Sequence, residues 1–220
     1  MPWVHLAKTV IGVVSLVWLC LALPLRAQEP EPGARLEQAY TLWQQGYILH
    51  SLGEYESAAD YFRRSIKIYP TAEGHTFLGW SLSRLGHTEQ AIAQCKKAIE
   101  LDPDYGNPYN DIGVYLIALG RPDEAIPWLK KAMQAKRYCC FQYPHFNLGR
   151  VLLMKGRVEE AERAFERALS YDADYLPARK ALEVIREREG EGSSCGAILG
   201  FLRYRQPRST GPCLAPASRA

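Results

Sequence analysis

Small and apolar residues return at one phase along most of this 220-residue chain. Gly53, Gly86, Gly120 and Gly156 are spaced by 33, 34 and 36 residues. Seven residues before each stands a second glycine, Gly46, Gly79, Gly113 and Gly149, and five after each stands an alanine, Ala58, Ala91, Ala125 and Ala161. Periods of this length mark units that each bury an apolar face against the next copy. Inside a unit, Phe62 and Ile66 continue the Ala58 row at helical spacing. Each unit is therefore expected to be a pair of antiparallel helices. Glycine inside a helix costs about 1 kcal/mol relative to alanine, so its presence at one phase in four units predicts a close helix crossing there. The later glycines are expected to end each first helix in a left-handed conformation. After the last unit, Leu176 to Arg188 reads as one more amphipathic helix, apolar at Leu176, Leu182, Val184 and Ile185. It stands where a solenoid needs a cap.

These positions resemble the tetratricopeptide-repeat (TPR) family, whose pattern is W-x2-L-G-x2-Y, then A-x3-F, then P. Repeat 1 supplies Leu42, Gly46, Leu49, Ala58, Phe62 and Pro70; repeat 2 supplies His75, Leu78, Gly79, Leu82, Ala91, Cys95 and Pro103. Repeat 3 supplies Tyr109, Ile112, Gly113, Leu116, Ala125 and Leu129, and repeat 4 His145, Leu148, Gly149, Leu152, Ala161 and Phe165. The resemblance implies an all-α superhelical solenoid of four helix-turn-helix repeats plus a C-terminal capping helix. The boundaries expected are 39–71, 72–105, 106–141 and 142–175 for the repeats and 176–189 for the cap. Repeat 3 is lengthened by Arg137 to Phe141. Together with the run Tyr143 to Gly149, that lengthening is similar to exported bacterial TPR proteins of type IV pilus biogenesis, which assist a secretin pore.

The family resemblance also implies where a partner peptide lies: on a concave face, at the second, fifth, ninth and twelfth positions of each repeat. In chain order these are Tyr40, Trp43, Tyr47 and His50; Glu73, Thr76, Trp80 and Ser83; Asn107, Asn110, Val114 and Ile117; and Tyr143, Phe146, Arg150 and Leu153. Candidate binding residues among them are Tyr40, Trp43, Tyr47, Trp80, Asn107, Asn110, Tyr143, Phe146 and Arg150, because aromatics and arginine are common interface anchors and asparagine can hydrogen-bond an extended backbone. Trp43 and Phe146 are the two most suited to packing between repeats instead. The carboxylate clamp of chaperone-binding members is not expected. Its positions hold Trp43, Tyr47, Phe77, Asn107 and Asp111, which lack the cations and include an acid.

Outside the repeats the pattern changes. An uncharged run, Thr9 to Leu25, follows Lys8, with Val10 to Leu23 as its apolar heart and Pro24 as a helix breaker. It reads as an export signal over residues 1–27, cleaved before Gln28, with an uncleaved membrane anchor as the alternative. Residues 28–38 are a linker and lead-in. Val17-Trp18-Leu19 puts bulky residues where a lipidation signal at Cys20 needs small ones. Either reading places the repeats outside the cytoplasm, in the periplasm or secreted, and allows a membrane contact only through this segment. Residues 190–220 carry Arg203, Arg205, Arg208 and Arg219 among Gly, Ser and Pro and read as a disordered basic tail, interrupted by the apolar run Gly196 to Leu202.

Net charge is only +3, short of the dense basic face that nucleic acid requires. No nucleophile elbow, phosphate loop or metal-spaced His cluster is present, so neither enzymatic activity nor a cofactor is expected. Among the six cysteines, Cys95 stands at a packing position. Adjacent Cys139 and Cys140 would strain a bond between themselves, and Cys195 and Cys213 could pair within the tail. The expected function is a non-catalytic scaffold binding a protein or peptide segment, in assembly of an envelope complex; a thiol-responsive adaptor using Cys139 and Cys140 is the alternative.

Overall fold

A computed structural model describes residues 31–191; the expected export signal over 1–27, Cys20, and Cys195 and Cys213 of the basic tail lie outside the described residues. Two compact units divide the chain, Met1–Arg35 and Leu36–Ala220, and all the repeats lie in the second. Nine helices make up the described residues: α1 (Pro32–Leu52), α2 (Tyr55–Ile68), α3 (Ala72–Arg84), α4 (Thr88–Leu101), α5 (Asn107–Ala118), α6 (Pro122–Ala132), α7 (Gln142–Met154), α8 (Val158–Tyr171) and α9 (Leu176–Glu191). The architecture is all-α, with helices in stacked pairs and α9 packed on α8.

The sequence period has two physical causes. Among the described residues Gly53, Gly86, Gly120 and Gly156 are the positive-φ residues, at 92°, 86°, 73° and 71°. Each closes its first helix with the same pair of hydrogen bonds. In repeat 2, Gly86 N–H donates to the Ser83 carbonyl and His87 N–H to that of Leu82, the Schellman arrangement that satisfies the last carbonyls of a helix. The other glycines mark contact. A Cβ on Gly113 would sit 2.5 Å from Leu129 Cδ2, and one on Gly149 would sit 2.5 Å from Phe165 Cε1. Leu129 and Phe165 are fully buried, as are Ala58, Ala91, Ala125 and Ala161. The two helices of a repeat thus approach over glycine on one side and alanine on the other.

Repeat 3 departs from this scheme after α6. Residues 133–141 fold back across the preceding turn: Gly106 N–H donates to the Arg137 carbonyl, and Arg137 N–H to the Asp104 carbonyl. The Arg137 guanidinium pairs with Glu73 and Asp102, each at 2.6 Å, and lies 4.3 Å from the Tyr105 ring centroid. A Cβ on Gly106 would come within 2.4 Å of Tyr138. The lengthened junction is thus a strap that ties repeat 3 back to repeat 2. Cys139 and Cys140 lie in it, both disulfide-bonded, whereas Cys95 is a free, fully buried thiol.

Candidate binding groove

The first helices of successive repeats touch one another, α3 with α5 and α5 with α7, while α4, α6 and α8 make no comparable contact with each other. First helices therefore form the inner wall. Its residues sort by position rather than by chemistry. The fifth position is packed: Trp43 is 6% exposed, Thr76 0%, Asn110 6% and Phe146 2%. Trp43 meets Phe77 edge-on at 5.0 Å, and Phe146 meets Phe165 and Tyr175 at 5.5 and 5.4 Å. The second position stays open, with Tyr40 exposed and Glu73, Asn107 and Tyr143 half-buried. So does the ninth, where Tyr47, Trp80, Val114 and Arg150 are all half-buried. The twelfth is divided: His50 and Ser83 are half-buried, Ile117 and Leu153 buried.

The cause is helix geometry. At 3.6 residues per turn positions two and nine fall about 20° apart and position five about 40–60° to one side of them, the side on which Trp43 meets Phe77 and Asn110 meets Asn147 of the next first helix. The structure therefore gives Trp43 and Asn110 to the joints between repeats and Phe146 to the packing of repeat 4 against Phe165 and Tyr175, and brings Tyr40, Tyr47, Trp80, Asn107, Tyr143 and Arg150 to the accessible wall.

Two polar links cross the wall. Trp80 Nε1 donates to Asp111 Oδ2, joining repeats 2 and 3. Burial pushes the Asp111 carboxyl up to about 7, against the opposing pull of hydrogen bonds from Trp80 and Asn110. Asn147 Nδ2 donates to Asn110 Oδ1 at 3.0 Å and Arg150 Nη1 to Asn147 Oδ1 at 3.2 Å, joining repeats 3 and 4. Burial lowers the Arg150 pKa from its usual value. Asn107 brings a buried Oδ1 without a hydrogen-bond partner.

Sequence reasoning missed the pairing role of Asp111. Trp80 and Asp111 are 31 residues apart, close to one period, so the phase that aligned the repeats was the available signal. Glu73 is held by Arg137, 64 residues away, and no periodic pattern announces that pair. Among the described residues no group of His, Cys, Asp and Glu is placed to hold a metal ion, and no helix is long and apolar enough to cross a membrane.

Models of the tetratricopeptide repeat match residues 39–72 and 72–105, 95–126, and 116–184. Rat mitochondrial import receptor subunit TOM70 is 24% identical over 139 residues, which is 62% of this chain and 22% of that protein. Human DnaJ homolog subfamily C member 3 is 32% identical over 97 residues, 44% of this chain and 19% of that one. The chain spans about a fifth of the length of these curated relatives. Among solved structures, Pseudomonas aeruginosa PilF superposes with a TM-score of 0.68 at 22% identity, covering 77% of each chain. YrrB, described as a TPR protein with an unusual peptide-binding site, gives 0.53 at 19% identity over 74% of this chain and 84% of its own. Both structural likenesses are likenesses of fold. The repeat matches run without a gap from 39 to 184, over glycine turns and helix crossings that recur four times, and the chain belongs to the tetratricopeptide-repeat family.

Proposed function

We propose that this protein is a non-catalytic scaffold that holds an extended segment of a partner protein along its inner wall, in assembly of an envelope complex outside the cytoplasm. The observation that carries the reading is the alternation along the first helices: position five packs in every repeat, while positions two and nine stay open in every repeat. The result is two parallel rows, Tyr40, Glu73, Asn107 and Tyr143 beside Tyr47, Trp80, Val114 and Arg150. Aromatics and arginine bring contact area and directional hydrogen bonds. The unpartnered Asn107 Oδ1 is an acceptor that a backbone N–H of the guest would satisfy. YrrB, of the same fold, is described as having a peptide-binding site. The apolar, uncharged run Thr9 to Leu25 supports export.

The test is site-specific photocrosslinking in the source cells, with benzoylphenylalanine placed at Val114 on the inner wall and, separately, at exposed Lys96 on α4. A discrete adduct from Val114 and none from Lys96 is expected. Adducts from Lys96 alone would place the working surface on the outer helices.

A further inference from the structure

Repeat 1 shows on its outer flank what the later repeats bury. Each later first helix packs on the second helix before it, α3 on α2, α5 on α4 and α7 on α6, and among the described residues no second helix precedes α1. The positions concerned are the third, seventh and tenth of a repeat. The tenth is buried as Ser81, Tyr115 and Val151 in repeats 2 to 4, but Ile48 in repeat 1 is 58% exposed. Thr41 and Gln45 are exposed as well, whereas Gly74, Pro108 and Pro144 are buried at the third position and Leu78 and Ile112 at the seventh. Leu52, one turn beyond Ile48, is 71% exposed. From Gln38 to Leu52 the chain holds no Asp, Glu, Lys or Arg. Exposed aliphatics on an uncharged helix face suit an interface core better than a solvated surface. The flank lies roughly 120° round α1 from Tyr40 and Tyr47, so covering it leaves the inner wall open.

Beside this flank α1 and α2 enclose a groove of about 450 Å³, lined in part by half-buried Leu42 and Ile68 and by exposed Arg64 and Lys67. The α2 side is divided by charge. Glu56, Asp60, Arg64 and Lys67 follow one another at helical spacing and share a face, acid in its first half and base in its second. Asp60 and Arg64 stand 3.9 Å apart and both are exposed, a loose surface pair that is easily rearranged. A Cβ on Gly46 would lie 2.9 Å from Phe62, so the middle of α2 is level with the middle of α1. We propose that a second copy of the chain covers this flank, in a symmetric dimer whose two-fold axis passes beside Gln45 and Phe62. That axis sets α1 antiparallel on the partner's α1 and α2 antiparallel on the partner's α2. Ile48 then stands opposite the partner's Leu42 and enters its groove. Asp60 and Glu56 stand opposite the partner's Arg64 and the partner's Lys67, and every contact occurs twice. A parallel pairing would set acid on acid and base on base, so the charges select the antiparallel one. The flank is about 21 Å long and two helices, roughly 20 Å, wide. Each copy therefore buries on the order of 400 Å², about half of a standard interface, and the dimer is weak and reversible.

The experiment is sedimentation equilibrium of the protein purified from cells expressing the full chain, over about 5 to 500 µM. Wild type is expected to move from the mass of one chain toward that of two across this range. Ile48→Arg, Arg64→Asp and Asp60→Arg should each raise Kd more than about tenfold, because the two-fold counts each loss twice. Circular dichroism and melting should stay as in wild type, since all three positions are exposed. The deciding sample is an equal mixture of Arg64→Asp with Asp60→Arg. Alone, each variant sets like charges against each other; mixed, an acidic α2 meets a basic one, so dimers should return between unlike chains. A wild type that keeps the mass of one chain at the top of the range overturns the proposal. So does a dimer that Ile48→Arg leaves intact, or a mixture no heavier than its separate parts.

Discussion

Trp80 Nε1 donates to Asp111 Oδ2 across the step between repeats 2 and 3, and burial raises that carboxyl to about 7. In the unfolded chain it would titrate near 3.9. Between those values the folded protein keeps a proton that the unfolded chain has lost, so this group's contribution is full in acid and is lost as pH rises through about 7. His75 and His145 act in the opposite sense. Burial lowers the pKa of both, and their contribution is lost as pH falls through the ordinary histidine value. Comparing wild type with Asp111→Asn isolates the carboxylate, because the amide oxygen can still accept from Trp80. The variant's melting advantage over wild type should grow as pH rises from 4 to 8 and level off above about 7; a difference constant with pH contradicts this account. The residue types were plain in the sequence, and Trp43 and Phe146 stood out there as suited to packing; the burial of Asn110, a candidate for binding, did not. Trp43 and Trp80 are both tryptophans on first helices, and only the neighbouring helix decides that Trp43 is packed and Trp80 half-open.

At the scale of elements, the helix pairs were legible because one physical demand repeats. A left-handed residue must end each first helix, and a residue without a side chain must face Leu129 in repeat 3 and Phe165 in repeat 4. The strap over 133–141 was visible only as extra length. Its hold comes from Arg137 meeting Glu73 and Asp102, contacts between segments that share no local pattern. Arg137→Ala should therefore destabilise the protein by about 1–3 kcal/mol, less than a fully buried pair because these side chains keep 25–30% of their exposure. It also strands two carboxylates beside each other. Urea unfolding measures this; an unchanged midpoint would mean that the strap is held by Tyr138 over Gly106 alone.

At the scale of the whole molecule, four repeats present two open rows of side chains on first helices that touch one another, and the central claim is that these rows hold an extended polypeptide. Trp80 is the strongest single anchor. Its ring packs 4.4 Å from the fully buried Phe77, which Tyr47 also meets at 5.6 Å, so one core ring supports the wall aromatics of repeats 1 and 2. Because Trp80 also rests on the core, Tyr40→Ala, at a position 51% exposed, serves as a second variant that leaves folding intact. The decisive measurement is calorimetric titration with the tightest peptide selected from a random displayed library on the folded protein. The account predicts that Trp80→Ala weakens that peptide about thirtyfold, a hot-spot loss of roughly 2 kcal/mol, that Tyr40→Ala weakens it measurably, and that exposed Lys96→Ala does not. Equal affinity for wild type, Trp80→Ala and Tyr40→Ala, with all three folded by circular dichroism, would contradict it.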